Sequence, residues 1–121
     1  MLIRFKKRSE KIAMGLLSFM PAEKEVKKLQ DTIQEYEVNE DWQLFLWKEG
    51  DDVLGAIGVR LDQDNHQAII QHISVTPSHR NSGIGKKMVD ELQKHYGSPY
   101  KLVANDVTRK FFEKCKETPK E

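Results

Sequence analysis

The sequence predicts an α+β protein in which a mixed β-sheet carries four helices. Three stretches rich in branched and aromatic residues, 42–47, 53–61 and 66–75, are separated by short turns and should form antiparallel neighbours. A helical pattern and another strand follow the third stretch. Because a strand, a helix and a strand in that order make a right-handed crossover, the two strands should lie parallel.

The first third of the chain predicts one strand and two helices. Leu2 to Phe5 forms a short strand, and Ser9 is expected to cap the first helix, whose broad apolar face consists of Ile12, Leu16, Leu17 and Phe19. Pro21 ends this helix, so that the second starts at Ala22. The second helix repeats apolar residues at spacings of three and four, which predicts one buried side: Val26, Leu29, Ile33 and Tyr36.

The last third predicts a helix, a strand and a final helix. Residues from Ile84 to Leu92 show helical spacing, and Tyr100 to Ala104 forms a strand. Asp106 is expected to cap the last helix, which carries Val107, Phe111, Phe112 and Cys115. The elements thus follow the order strand, helix, helix, three strands, helix, strand, helix.

The composition excludes several classes of protein. A chain of 121 residues, 38% hydrophobic and 32% charged, suits one globular domain over 1–121. Its net charge of +1 gives no broad attraction to nucleic acid or to an anionic membrane, so neither is expected as a partner. The single cysteine, Cys115, excludes an internal disulfide framework and a Cys-rich zinc site, and no metal is expected. We find no targeting or membrane-spanning segment, which together with a lone thiol favours the cytoplasm.

The stretch between the longest strand and the next helix has the composition of an anion-binding loop. Gly83 and Gly85 stand where the helix begins, so the backbone can approach a bulky anion closely. The free N–H groups of the first helical turn and the helix dipole both favour negative charge there, which predicts a pyrophosphate site. The loop is not a Walker A loop, because Arg80 and Lys87 occupy positions that require Gly and Ser or Thr. A dinucleotide fingerprint would need glycine in place of Met88.

Two motifs and the order of the elements resemble the GCN5-related N-acetyltransferase (GNAT) family. Arg80-x-x-Gly83-x-Gly85 matches the Q/R-x-x-G-x-G/A loop of that family, and Asn105 followed by a helix with paired aromatics resembles its next motif. At closer range the sequence resembles the small acetyltransferase-like proteins encoded in riboflavin operons of Bacillus-type bacteria. The resemblance implies a GNAT-type sheet that is shortened at the C-terminus.

The resemblance also implies the ligands and the residues that bind them. Acetyl-CoA or another acyl-CoA would be the co-substrate, a small amine the acceptor, and riboflavin metabolism a possible context. The pyrophosphate would lie on Arg80, Asn81, Ser82, Gly83, Ile84, Gly85 and Lys86. The pantetheine arm would follow the main chain of Ile73, Ser74 and Val75, and the remaining contacts would come from Asn105, Arg109 and Phe112.

The sequence departs from the family pattern at three places. Many members carry, seven residues after the Asn, a Tyr that protonates the thiolate of CoA, but Phe112 stands there. The long strand 66–75 holds no carboxylate to serve as a base, and the final two strands of the family are not expected. A sheet edge left open in this way could support a homodimer.

These departures leave two functions open, a small-molecule N-acetyltransferase and an acyl-CoA-binding module with little or no turnover. A nucleotide-binding domain without CoA is a third. His72, on the long strand, is the candidate general base, and the alternative is a histidine that is hydrogen-bonded within the fold. Cys115 is expected to be a small buried thiol rather than an acyl acceptor.

Overall fold

A computed structural model describes residues 1–20, 25–79 and 82–116, without the side chains of Cys115 and Lys116. The strands and helices follow the predicted order, which confirms the α+β fold. They are β1 (Leu2–Arg4), α1 (Glu10–Leu17), α2 (Val26–Val38), β2 (Trp42–Glu49), β3 (Asp52–Asp62), β4 (Gln67–Val75), α3 (Ile84–Tyr96), β5 (Lys101–Ala104) and α4 (Arg109–Lys116).

The five strands form one sheet in the order β1-β2-β3-β4-β5. Strands β1 to β4 are antiparallel neighbours, as the short turns predict. Strand β5 is parallel to β4, as the crossover through α3 predicts. The sheet therefore changes from antiparallel to parallel at the strand that precedes the glycine loop.

Helices cover both faces of the sheet. The helices α1 and α2 bury one cluster with β2 and β3, whose central residues are Leu17, Ile33 and Leu46. The helices α3 and α4 bury a second cluster on the opposite face, around Ile57, Ile70 and Met88. Each such side chain contributes roughly 1.5–3 kcal/mol on burial, so the two clusters hold all four helices against the sheet. No helix within the described ranges is long and apolar enough to cross a membrane.

Three apolar residues predicted to be buried in the first two helices are exposed. Ile12, which is 49% exposed, lies about 100° around α1 from the buried Ala13 and about 140° from the buried Leu17. Phe19, which is 41% exposed, lies beyond the last residue of α1, Leu17. Val26 is 63% exposed because it is the first residue of α2, whose core contacts begin one turn later. Pro21 and Ala22, where this helix was expected to start, lie outside the described residues.

The predicted caps of two helices are corrected. Ser9 precedes α1, but its side chain makes no capping hydrogen bond. Asp106 does not cap α4, because its carboxylate pairs with Arg109 instead. The residue before α4 is Thr108, whose carbonyl accepts the Phe112 N–H at 2.9 Å. Among the described side chains of α4, Phe112 joins the core and Phe111 is 38% exposed. Val107, which was predicted to share the apolar face, precedes the helix and is 59% exposed.

Candidate functional site

The parallel strands β4 and β5 separate part of the way along their length. They pair from Gln67 with Lys101 to Ile70 with Ala104, where β5 ends. Beyond that point β4 continues to Val75, paired with β3 on its other side. The edge of β4 from Gln71 to Val75 therefore borders a gap in the sheet, where main-chain groups face outward in the strand plane.

A small network of hydrogen bonds closes the inner end of this gap. The Thr108 hydroxyl, which is 1% exposed, donates to the Ile70 carbonyl at 2.8 Å and accepts the Asn105 N–H at 3.1 Å. The Asn105 side chain accepts the Thr108 N–H at 2.9 Å and donates to Gln71 Oε1 at 3.4 Å. Asn105 was predicted from the sequence, whereas Thr108 was missed, although an Asn three residues before a Thr is a recognisable capping pattern.

Replacing Thr108 with Val should destabilise the fold and move β4 and β5 further apart at the point where they separate. Valine matches the shape of threonine but leaves the buried Ile70 carbonyl without this donor, which costs about 1–3 kcal/mol. We expect a lower midpoint in urea unfolding and weaker acetyl-CoA binding by calorimetry. Replacement of the exposed Val107 with Thr, one residue away, is the control and should change neither. An unchanged midpoint for T108V would show that this bond does not hold the strands.

A β-bulge lies beside the gap. Gly58 of β3 faces His72, and the next pair joins Val59 to Ile70, so Gln71 is an extra residue on β4. The bulge changes the alternation of the strand, and Ile70 and Ile73 consequently lie in the same cluster although they are three residues apart. Beyond it, His72 turns toward the face covered by α1 and α2.

Ser74 and His72 are both buried on that face. The Ser74 hydroxyl donates to the Leu16 carbonyl at 2.6 Å and so joins β4 to the end of α1. His72 is 6% exposed, and its Nδ1 lies 2.6 Å from the Tyr36 hydroxyl of α2. Trp42 lies beside both rings, with centroids 5.2 Å from Tyr36 and 6.4 Å from His72. His72 is therefore hydrogen-bonded within the fold, and its role in catalysis stays a prediction.

The glycine loop places the start of α3 at the outer end of the gap. Gly83 precedes the helix with φ +83°, a left-handed conformation that suits glycine. A Cβ built on Gly83 would meet nothing within 4 Å, so open space lies in front of the helix. Ile84 and Gly85 are buried in the first turn, whose N–H groups have no carbonyl partner within the helix. The N–H donors of the loop and the helix dipole thus face a space in which an anion can bind.

A polar turn holds the entry to this loop. The ring Nδ1 of His79 lies 3.2 Å from Thr76 Oγ1 and 3.0 Å from Ser78 Oγ. The Ser82 hydroxyl donates to the His79 carbonyl and so fixes the residue before Gly83. Arg80 and Asn81, predicted to contact the pyrophosphate, lie outside the described residues.

The predicted cationic contacts are paired with carboxylates on the surface. Lys86 binds Asp90 at 3.0 Å and Arg109 binds Asp106 at 2.9 Å. Both pairs are at least one-third exposed, and such pairs contribute about 0.2–1 kcal/mol. Either cation can therefore exchange its partner for a phosphate at little cost.

The predicted residues fall into three groups. Ile73, Ser74 and Val75 border the gap, and Ser82 to Lys86 form its outer end. Asn105 lies at the inner end, whereas Phe112 is packed in the cluster under α3 and Arg109 is on the surface. Within the described part of the chain no group of three His, Cys, Asp or Glu residues could hold a metal ion.

A separate open cleft of about 760 Å³ lies at the opposite edge of the sheet, and it is lined in part by Phe5, Tyr36 and Leu44. Neighbouring strands are about 4.8 Å apart, so β1 and β2 lie roughly 10 Å or more from β4. The cleft is therefore distinct from the gap. Tyr36 borders the cleft and also contacts β4.

Comparisons with known proteins bear on the family and the fold of this chain. The model of the acetyltransferase (GNAT) family matches residues 13–116. An uncharacterized N-acetyltransferase in the lysA 3′ region of Bacillus methanolicus is 57% identical over 115 residues, which cover 95% of this chain and 94% of that protein. Its name refers to lysA and carries no link to riboflavin.

Two solved structures share the fold at low sequence identity. The acetyltransferase AAC(6′)-Iy, bound to the bisubstrate analogue CoA-S-monomethyl-acetylneamine, has a TM-score of 0.76 and 14% identity over 100% of this chain and 92% of that one. An aminoglycoside 6′-N-acetyltransferase complexed with coenzyme A has a TM-score of 0.68 and 18% identity over 82% of this chain and 56% of that one. The match to the family model and the relative in Bacillus methanolicus are sufficient to show that this chain belongs to the GNAT family of acetyltransferases.

Proposed function

We propose that this protein is an N-acetyltransferase that transfers the acetyl group of acetyl-CoA to a small amine. The observation that carries the proposal is the gap beside β4, which ends at the glycine-led start of α3. A strand edge that leads to a helix N-terminus offers a binding partner to each of two parts of CoA, the pantetheine arm and the pyrophosphate. Amide groups of the arm suit the main chain of β4, and the pyrophosphate suits the helix start.

The length of the gap fits the length of the pantetheine arm. From phosphate oxygen to sulfur the arm has about twelve bonds, equal to roughly four residues of extended peptide or about 14 Å. Counted back from Val75, the last residue of β4, this distance would bring the thioester beside Gln71 and His72. The gap closes at the same place, where Thr108 and Asn105 contact Ile70. We therefore place the reacting carbon at the inner end of the gap, next to the bulge.

Holding the thioester there would make the reaction effectively unimolecular once an amine binds. The amine nitrogen attacks the carbonyl carbon, the C–S bond breaks, and the thiolate takes up a proton while the new amide loses one. Phe112 has no proton to give the thiolate. Water or another side chain must supply it, and we expect slower turnover than in relatives that carry a Tyr at this position.

We propose that the acceptor is a small primary amine. The overall resemblance to RibT, the acetyltransferase-like protein of riboflavin operons, motivates amine-bearing intermediates of riboflavin synthesis as the first compounds to test. We also propose a cytoplasmic location, which the single cysteine of the sequence favours.

A second function is favoured by two features of the site. Phe112 replaces the usual acid, and β4 carries no carboxylate. Both features would suit a module that binds acyl-CoA and signals its presence to a partner without turnover.

Release of free CoA separates the two functions. Purified protein is incubated with acetyl-CoA and a panel of small amines, and thiol appearance is followed with a chromogenic disulfide. An acetyltransferase releases thiol only when a suitable amine is present, and the acetylated product appears by mass spectrometry. Binding of acetyl-CoA without thiol release across the panel would favour the binding module. If the protein bound ATP but did not bind acetyl-CoA, both proposed functions would be contradicted.

A further inference from the structure

Two side-chain amides meet across the inner end of the gap. Gln71, the extra residue of the bulge, is the first residue of β4 beyond the pairing of Ile70 with Ala104. The Asn105 side chain, directly after β5, donates to Gln71 Oε1 at 3.4 Å. The Gln71 amide therefore reaches from β4 to the end of β5 at the point where the two strands separate.

A second hydrogen bond holds the Gln71 side chain along β4. Its Nε2 donates to the Ile69 carbonyl at 3.2 Å, so both ends of the amide have a partner. Asn105 is held in turn, because its Oδ1 accepts the Thr108 N–H and its own N–H donates to Thr108 Oγ1. The Gln71 amide thus has a defined position, unlike the side chain of a freely rotating surface glutamine.

The side chains of β4 near this point differ in burial. Ile70 is packed in the cluster under α3 and α4, to which Phe112 also belongs. Ile69 and Gln71 are half-buried and alternate with the buried Ala68 and Ile70. An acceptor amine would approach the thioester from the side of the half-buried residues, and the Gln71 amide covers part of that side.

We propose that Gln71, held in place by Asn105, limits the acyl group of the donor to acetyl. The inference rests on the proposed function, which brings the thioester beside Gln71. The pantetheine arm would run along β4 from the loop toward β5, and the acyl carbons would continue beyond the sulfur in the same direction. From Ile70 to Gln67 the two strands are paired about 4.8 Å apart, which is too close for an acyl chain to pass between them.

An acyl group longer than acetyl would have to displace the Gln71 side chain. Displacement breaks the hydrogen bonds to Ile69 and Asn105, and it leaves the Ile69 carbonyl without this donor. The methyl of acetyl fits in front of the amide, whereas the further methylenes of propionyl and butyryl overlap it. A single methylene in a shaped pocket changes specificity by roughly 10- to 200-fold.

Calorimetric titration with acetyl-CoA, propionyl-CoA and butyryl-CoA tests this limit without any acceptor amine. We expect the affinity of the wild type to fall with each added methylene, by at least about tenfold from acetyl to butyryl. Gln71→Ala removes the amide and should bind acetyl-CoA and butyryl-CoA within about threefold of each other. Equal affinity of the wild type for the three thioesters would overturn the proposal, and so would an unchanged preference in Gln71→Ala.

A milder variant and a matched control accompany Gln71→Ala. Gln71→Asn shortens the side chain by one methylene, so it should admit propionyl-CoA and still discriminate against butyryl-CoA. Gln67→Ala is the control, because Gln67 is also half-buried on β4 but lies where the strand is paired with β5. It should keep the preference of the wild type. If Gln67→Ala lost the preference too, the cause would be a general loosening of β4, and the role assigned to Gln71 would be wrong.

Failure of the proposed function has a different signature from failure of this inference. If the wild type binds none of the three thioesters, the gap is not a donor site and the inference falls with the function. If acetyl-CoA binds but no amine is acetylated, transfer is excluded, and the three affinities still show whether Gln71 limits the acyl group. If the wild type acetylates an amine and uses butyryl-CoA equally well, the function stands and the limit is wrong.

Discussion

Replacing Gly83 with Asp is expected to abolish acetyl-CoA binding while the protein stays folded. Gly83 lies directly before α3, and a side chain added there would point into open space. In the free protein the Cβ of an Asp at this position meets nothing within 4 Å among the described residues, and the Asp carries a charge that a helix start favours, although φ +83° strains any side chain there. In the complex the same carboxylate would occupy the space of the pyrophosphate and repel it.

The expected loss is large because steric and charge effects act together. We expect the affinity for acetyl-CoA to fall at least about 100-fold, or about 2.7 kcal/mol. Gly83→Asn is the matched control, since asparagine has nearly the same shape, tolerates positive φ and carries no charge. It should bind more tightly than the Asp variant, and the difference between the two measures the charge effect alone.

Calorimetric titration with acetyl-CoA measures both variants, and circular dichroism checks that they fold. An unchanged affinity in a folded G83D variant would mean that the pyrophosphate does not bind at this loop. Higher salt should weaken wild-type binding, because charge attraction at an exposed helix start is screened.

The loop and the order of elements could be predicted because they depend on local sequence. Glycines at a helix start and periodic apolar residues act within a few positions of one another, which is why Gly83 and β4 were placed correctly. The family resemblance also identified Phe112 as a residue without a proton to donate. The acyl-CoA contacts themselves stay a prediction.

The rest of the site depends on contacts between residues distant in sequence. Nothing near Tyr36 indicates that it meets His72, 36 residues away, and nothing near Thr108 indicates Ile70. The extra residue of the bulge, Gln71, was also missed, because the adjacent pairs Ile69-Ile70 and Gln71-His72 leave the strand without an alternation that the bulge could interrupt. The same limit explains why Val26 was wrongly predicted to be buried. Its spacing fits the buried face of α2, but the contacts of that helix with the core begin one turn later.

Replacing Gly58 with Ala is expected to be the most destabilising single methyl addition in the sheet. The new Cβ would overlap the Tyr36 hydroxyl at 2.1 Å and its ring at 2.5 Å. Tyr36 is buried and has only two side-chain torsions, so it cannot withdraw without breaking its bond to His72. We expect a loss of about 3 kcal/mol in the free energy of unfolding, and a fall of about 10 °C in Tm. Gly15→Ala in α1 is the control, because its Cβ meets nothing within 4 Å, and it should stabilise slightly.

A double-mutant cycle shows whether the overlap with Tyr36 is the cause. Tyr36→Phe removes the oxygen but leaves Cζ at 2.5 Å, so it should not relieve Gly58→Ala. Tyr36→Leu removes the outer ring, and the combination with Gly58→Ala should be at least about 1 kcal/mol more stable than the sum of the single changes. Urea unfolding of the four proteins measures this coupling. Strict additivity would mean that the alanine methyl destabilises β3 in another way. The contact between Tyr36 and His72 would then not be the reason for glycine at position 58.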